Sequence, residues 1–264
     1  MSMARLVFAL VAIIALLAPG AAVAQGFDHA HPAWEALLKK HVVVLQAGKA
    51  SQVRYAQFAR DRAALKGYLD ALSGVGEAEF SAWSREQRMA FLINAYNAFT
   101  VEKVLTRYPD LKSIRDFGTV FGNPWKDRFF RLLGKEETLD GIEHGMLRKP
   151  GAYDDARVHF AVNCASIGCP MLREEAYVAG RLDRQLEEQA RRFLSDRSRN
   201  RYANGRLEVS KIFDWFKEDF GTRGKFFARF AAELADAPED RQAVAEGKAP
   251  LAFLDYDWVL NDAR

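Results

Sequence analysis

Ser84-Arg-Glu-Gln-Arg-Met-Ala-Phe-Leu-Ile-Asn-Ala-Tyr-Asn-Ala-Phe99 is the stretch on which the fold turns. Ser84 followed by Gln87 is a capping-box signature, so a helix begins at Arg85. From Met89 onward the run is apolar nearly all round, which suits a helix covered on every face. The spacing predicts a central, buried helix over 85–107, stopped by Tyr108-Pro109. Asn94 and Asn97 interrupt its apolar surface. Buried amides need partners, and for both the plain expectation is a helix-to-loop hydrogen bond. Asn97 is also a candidate to orient a catalytic group or to donate to an oxyanion.

A second stretch carries the reactive side chains: Val158-His-Phe-Ala-Val-Asn-Cys-Ala-Ser-Ile-Gly-Cys-Pro170. Val158, Phe160 and Val162 alternate, which predicts a strand. Gly168 and Pro170 predict a turn after it. Cys164 and Cys169, the only 2 cysteines of the chain, sit at that junction. A nucleophile where a strand gives way to a tight turn is a recurring way to expose one reactive atom on a rigid support.

Outward from these stretches, helical spacing is read over Trp34–Leu45, ended by Gly48, and over Tyr55–Leu72. His29 and His31, in a loose start before them, are expected to be solvated. Residues 113–125 read as an ordered loop. Arg128–Leu139 suggests a hairpin turning at Gly134. Asp140 is expected to cap a helix with Glu143 at its third position. Helical pattern returns at Arg173–Tyr177, at Leu182–Leu194 as a surface helix, after Ser210 with aromatics, and at Lys225–Leu234. Arg206–Val209 reads as a short strand and Leu251–Leu260 as one that closes the core. The fold class is α+β: one globular domain over 25–264, helix-rich around a small antiparallel sheet.

The N-terminus is a processing signal. One positive charge, the apolar run Leu6–Ala18, Pro19-Gly20 and Ala22-Val23-Ala24 predict a secretory signal peptide over 1–24, cleaved after Ala24. The run is short for a membrane span, so no stable membrane insertion is expected after cleavage. The protein is expected to be periplasmic or secreted. Charge is nearly balanced, with 38 basic and 35 acidic residues, and no long run of either sign, which argues against nucleic-acid binding. In an oxidising compartment paired cysteines usually bridge. The short Cys164–Cys169 loop leaves a local disulfide and a reactive thiol at Cys164 both open.

A thiol hydrolase needs a thiolate, a base and a group that orients the base. Cys164 is the candidate nucleophile. His144 and His159 are the candidate bases, and Glu143 or Asn97 the orienter. On a continuous strand the odd separation of His159 and Cys164 would place them on opposite faces, which favours His144. Asn163 and Ser166 are candidates for substrate binding, and the backbone amides of Cys164–Ser166 for an oxyanion hole. Each has a plainer reading: a capping box for Glu143, a strand histidine bonded to a carbonyl for His159, turn hydrogen bonds for Asn163 and Ser166. Zinc is not expected, because the Cys-x4-Cys spacing is loose and Glu143-His144 are not spaced as ligands one helical turn apart. No cofactor is expected, and a peptide or small molecule is the expected substrate. The competing function is a non-enzymatic periplasmic binding or accessory module with a structural Cys164–Cys169 disulfide. Redox exchange is weaker, since Cys-x-x-Cys spacing is absent.

Six segments together resemble the exported bacterial branch of the domain-of-unknown-function 547 family. They are Phe91–Phe99, Ser113–Asp116, Leu139–Arg148, Val158–Pro170, Val209–Trp215 and Tyr256–Asn261. The blocks around Asn97, Glu143-His144, His159 and Cys164 look like the family's signature positions. The resemblance implies a papain-like or transglutaminase-like thiol fold by analogy of parts. One departure is plain: in papain-like enzymes the nucleophile precedes its histidine, whereas Cys164 follows both.

Overall fold

A computed structural model of the chain describes residues 26–118 and 123–263. The expected leader over 1–24 and residues 119–122 of the 113–125 loop lie outside the described residues. The fold is α+β, with helices packed around small sheets. Before the central helix come α1 (Pro32–His41), a hairpin of β1 (Val42–Leu45) and β2 (Ala50–Val53), and α2 (Tyr55–Phe58), α3 (Arg62–Gly74) and α4 (Glu77–Ala82). Helix α5 (Arg85–Leu105) is the axis they pack on. Both halves of its Ser84–Gln87 capping box form, and every residue from Met89 to Leu105 is buried.

After α5 the chain makes a hairpin of β3 (Phe130–Leu132) and β4 (Lys135–Glu137), turning at Leu133-Gly134. A π-helix (Gly141–Leu147), the single-turn α6 (Val158–Ala161) and the surface helix α7 (Leu182–Leu194) follow. The last sheet joins β5 (Arg201–Ala203), β6 (Arg206–Ser210) and β7 (Leu251–Leu254). Between β6 and β7 lie α8 (Ile212–Trp215), α9 (Arg223–Arg229), α10 (Ala231–Leu234) and α11 (Pro238–Ala245). No helix among the described residues is long and apolar enough to cross a membrane.

Several expectations are corrected. The sheet is not one antiparallel unit: the strands form separate small sheets, and β6 pairs with β7 in parallel. The α8–α11 crossover allows this, since parallel neighbours need a long connection. The first helix stops at His41, and Val42–Leu45 is strand, as its valines favour. The helix expected over 55–72 is broken at Ala59–Asp61. Arg173–Tyr177 is irregular, and the closing strand ends at Leu254.

The largest correction is Val158–Ala161, which is a helical turn and not a strand. Its alternation has another cause. Val158 packs into the cluster around α5, while Phe160 packs into a second cluster with Phe193, Phe213, Phe220, Phe227 and Phe230. The turn lies between two cores and is buried on both sides, so alternation does not report a sheet face here.

His31 is also corrected. It is buried, with Nδ1 at 2.7 Å from the Tyr68 hydroxyl. Burial lowers its pKa to about 4, with His29 pushing the same way and Asp28 opposing. An unfolded histidine takes up a proton near pH 6.5, whereas this one waits until about pH 4 in the fold. Between those values the unfolded chain binds more protons, so stability must fall as pH falls, by up to about 3 kcal/mol. Urea unfolding at pH 7 and pH 4.5 should show that loss, and His31→Gln should flatten it.

Candidate active site

A cavity of about 210 Å³ lies where the two clusters meet. Glu143, His144, His159 and Cys164 all line it, with Cys169, Asp140 and Tyr96. Four elements deliver them: α5, the π-helix, α6 and the cysteine loop. Asn97, Asn163 and Ser166 are not among the lining residues.

Cys164 and Cys169 are joined by a disulfide, with Cα atoms 6.1 Å apart. Cys169 is 3% exposed, and Cys164 is the more accessible residue. The Tyr256 hydroxyl lies 3.3 Å from Cys164 Sγ and 3.2 Å from Cys169 Sγ. The Ser166 hydroxyl lies 3.2 Å from Cys164 Sγ and 3.5 Å from Cys169 Sγ. Burial pushes the Tyr256 hydroxyl well above its usual pKa, so it remains a proton donor beside the sulfurs.

The loop is held by amides. Asn97 Nδ2 donates to the Ala161 carbonyl at 2.9 Å, and the Asn163 amide donates to Asn97 Oδ1 at 2.8 Å. Asn163 Nδ2 donates to the Pro170 carbonyl at 2.7 Å, and the Ala165 amide donates to Asn163 Oδ1 at 2.9 Å. Asn163 thus ties the two ends of the cysteine loop together. The bracing lets Ala165 stand at φ 60°, a conformation that costs a non-glycine residue about 1–2 kcal/mol. Asn97 and Asn163 position the loop. Asn97→Ala leaves two buried backbone groups without partners and should cost about 3 kcal/mol in urea unfolding.

Of the amides expected to form an oxyanion hole, those of Cys164 and Ala165 are committed elsewhere. That of Cys164 donates to Cys169 Sγ at 2.9 Å, and that of Ala165 to Asn163. Only the former would come free if the disulfide opened.

The two histidines differ in what holds them. His159 Nε2 meets Asp219 Oδ2 at 2.7 Å, so the ring is held by a carboxylate and not by a backbone carbonyl. Phe216 stacks on it with centroids 4.3 Å apart. Partial burial acts to raise the pKa of Asp219, but hydrogen bonds from His159 and Arg148 outweigh it and hold the carboxyl well below the usual range. An Nε2–H bonded to a carboxylate leaves Nδ1 as the basic nitrogen. His144 is arranged the other way. Its Nδ1 faces the Arg148 guanidinium, which only donates, so the lone pair there is occupied. Its Nε2 lies 3.6 Å from Asp140. With Nε2–H on Asp219, His159 keeps its lone pair at Nδ1, whereas the Nδ1 of His144 already meets a cation.

Glu143 does not complete a capping box. Asp140 makes no side-chain cap, and Thr138 Oγ1 accepts from the Gly141 amide instead. The segment winds as a π-helix, with the Arg148 amide donating to the Glu143 carbonyl. Such turns recur at functional sites. The wider turn narrows the angle between neighbours, and Glu143 and His144 face one cavity. Burial, and after it the neighbouring Glu143 carboxyl, push the Tyr96 hydroxyl well above its usual pKa.

Sequence reasoning missed Asp219, Arg148 and the aromatic wall of Trp125, Trp215, Phe216, Tyr256 and Trp258. Trp215 and Phe216 were legible only as core aromatics, and nothing local marks Asp219. Among the described residues no group of three or more His, Cys, Asp or Glu side chains is arranged to hold a metal ion.

Residues 80–194 match the family described as "Protein of unknown function, DUF547". That stretch contains Tyr96, Glu143, His144, His159 and both cysteines, while Asp219 and most of the aromatic wall lie beyond it. No match to the chain was found among curated proteins or among solved structures.

Proposed function

The chain belongs to the DUF547 family, and since that description names no activity, we propose from the site itself that the protein is a thiol-dependent hydrolase or acyl/peptidyl transferase. Cys164 is the nucleophile, released when a dithiol reduces the Cys164–Cys169 bridge. His159, held by Asp219, takes the thiol proton at Nδ1. The thiolate adds to an acyl carbon, and the leaving group departs with the proton from His159. Water or an amine then resolves the acyl-enzyme. The Tyr256 hydroxyl and the freed Cys164 amide are the donors for the oxyanion. Glu143 and His144 contact the substrate in this scheme. The likeness to papain-like or transglutaminase-like enzymes is one of parts, a buried helix carrying Asn97 against a cysteine loop. Export through the leader over 1–24 belongs to the same proposal.

The observation that carries it is the convergence of Cys164, Glu143, His144 and His159 on one cavity from separate segments. The experiment is mild reduction followed by brief alkylation and peptide mapping. Cys164 should be modified well before the buried Cys169. Equal or reversed labelling would count against the proposal.

The closed bridge, with hydroxyls on both sulfurs, favours a second reading: an exported binding or accessory module with a permanent disulfide. Intact mass under native conditions separates the two. A bridge that survives strong reductant supports the binding module.

A further inference from the structure

We propose that the cavity seats an organic ammonium group, held by Glu143 and Asp140 against the rings of Trp215 and Tyr256. The proposal names the substrate class of the same cavity and rests on its being the site at which Cys164 acts.

Glu143 is 8% exposed, yet it lines the cavity. A carboxyl taken so far out of water ordinarily has a cationic partner. Among the described residues no Lys or Arg forms an ion pair with it, and the Tyr96 hydroxyl, which it helps to keep protonated, is uncharged. Arg148 is near enough to feel its charge, but that guanidinium is spent on Asp219, Glu218 and His144. Asp140 is the second carboxyl of the lining, and no Lys or Arg lines the cavity. The site is thus built to receive positive charge.

Much of the remaining lining is aromatic. Tyr256 lies 4.6 Å from Trp258 and 4.9 Å from Trp215, and Trp215 stacks on Trp258 at 5.7 Å between centroids. Trp125 extends the wall, 5.8 Å from Trp258. Trp215 is 40% exposed, so part of its ring is open to a ligand. Ring faces attract cations, and clusters of rings beside carboxyls are a known way to bind organic ammonium ions. The volume, about 210 Å³, suits one amino-acid-sized moiety and falls below the range of larger ligand sites. The substrate would be an acyl compound or peptide that presents a side-chain or terminal ammonium next to the bond at Cys164.

The test uses the oxidised protein, where no turnover occurs. Tryptophan fluorescence is followed during titration with n-pentylammonium, with its neutral isostere 1-pentanol, and with methyl glucoside, at constant ionic strength. Saturable binding of the ammonium alone is expected. Glu143→Gln, which keeps size and hydrogen bonding, should weaken it about tenfold or more. Trp215→Phe should weaken it less. Asp140→Asn serves in its place if the Glu143 variant loses its native circular dichroism. Equal binding of 1-pentanol, preference for the sugar, no saturable ammonium signal, or an unaltered affinity in a folded carboxamide variant would overturn the proposal. Any of these would leave the reactivity of reduced Cys164 standing. An inert thiol in a protein that binds ammonium would instead sink the catalytic reading alone.

Discussion

In the reduced protein, His159→Ala should slow alkylation of Cys164 at neutral pH by about a hundredfold, while His144→Ala should leave most of the rate intact. The expectation follows from which nitrogen each ring has free. His159 presents Nδ1, because Asp219 holds Nε2 at 2.7 Å and is itself kept ionised by His159 and Arg148. His144 has its Nδ1 against the Arg148 guanidinium. Asp219→Asn should act in the same direction as His159→Ala, because the amide removes the charge and, by donating to Nε2, leaves the ring proton on Nδ1. His159 is buried, so Asp219→Asn, read with a thermal melt, also guards against a rate loss caused by misfolding. If His144→Ala proves the more damaging, the base has been assigned to the wrong ring.

Gly168→Ala should be the most destabilising small substitution in the cysteine loop. A Cβ there would lie 2.9 Å from both the amide nitrogen and the carbonyl oxygen of Asp257, and 3.0 Å from Tyr256 Cδ1. The obstacles are backbone atoms, which cannot rotate aside. The Gly168 amide donates to the Asp257 carbonyl at 2.8 Å, so the two strands of chain must part and lose that bond. Overpacking of this kind costs about 1–3 kcal/mol, and the lost hydrogen bond adds about 1 kcal/mol. Tyr256 is the neighbour of Asp257, so its hydroxyl should move away from both sulfurs. A lower urea midpoint, with the disulfide more readily reduced, is the expected pair of results. An unchanged midpoint would mean that the loop and residues 256–257 pack less closely than described.

The sequence shows α5 plainly because its signals are local: a capping box at Ser84, a continuous apolar run, and a stop at Tyr108-Pro109. The hairpin at Gly134 and helix α7 were legible for similar reasons. Val158–Ala161 misled because alternation was produced by two separate cores and not by a half-buried sheet. The parity argument against His159 fell with the strand. Asp140–Leu147 misled because Thr138, not Asp140, caps the segment, and a π-turn has no sequence signature of its own. The residues that meet in the cavity were named from types that carry chemistry. Their partners were not, since Asp219 is 60 positions from His159 and only folding brings them together.

The most direct measurement is the rate at which the reduced protein is acylated by an activated ester, such as p-nitrophenyl acetate, at pH 7, set against free cysteine. One acyl group per chain is expected, carried on Cys164 and added at least about tenfold faster than to free cysteine. A rate no greater than that of free cysteine, in a protein whose fold survives reduction, would contradict the role given to Cys164.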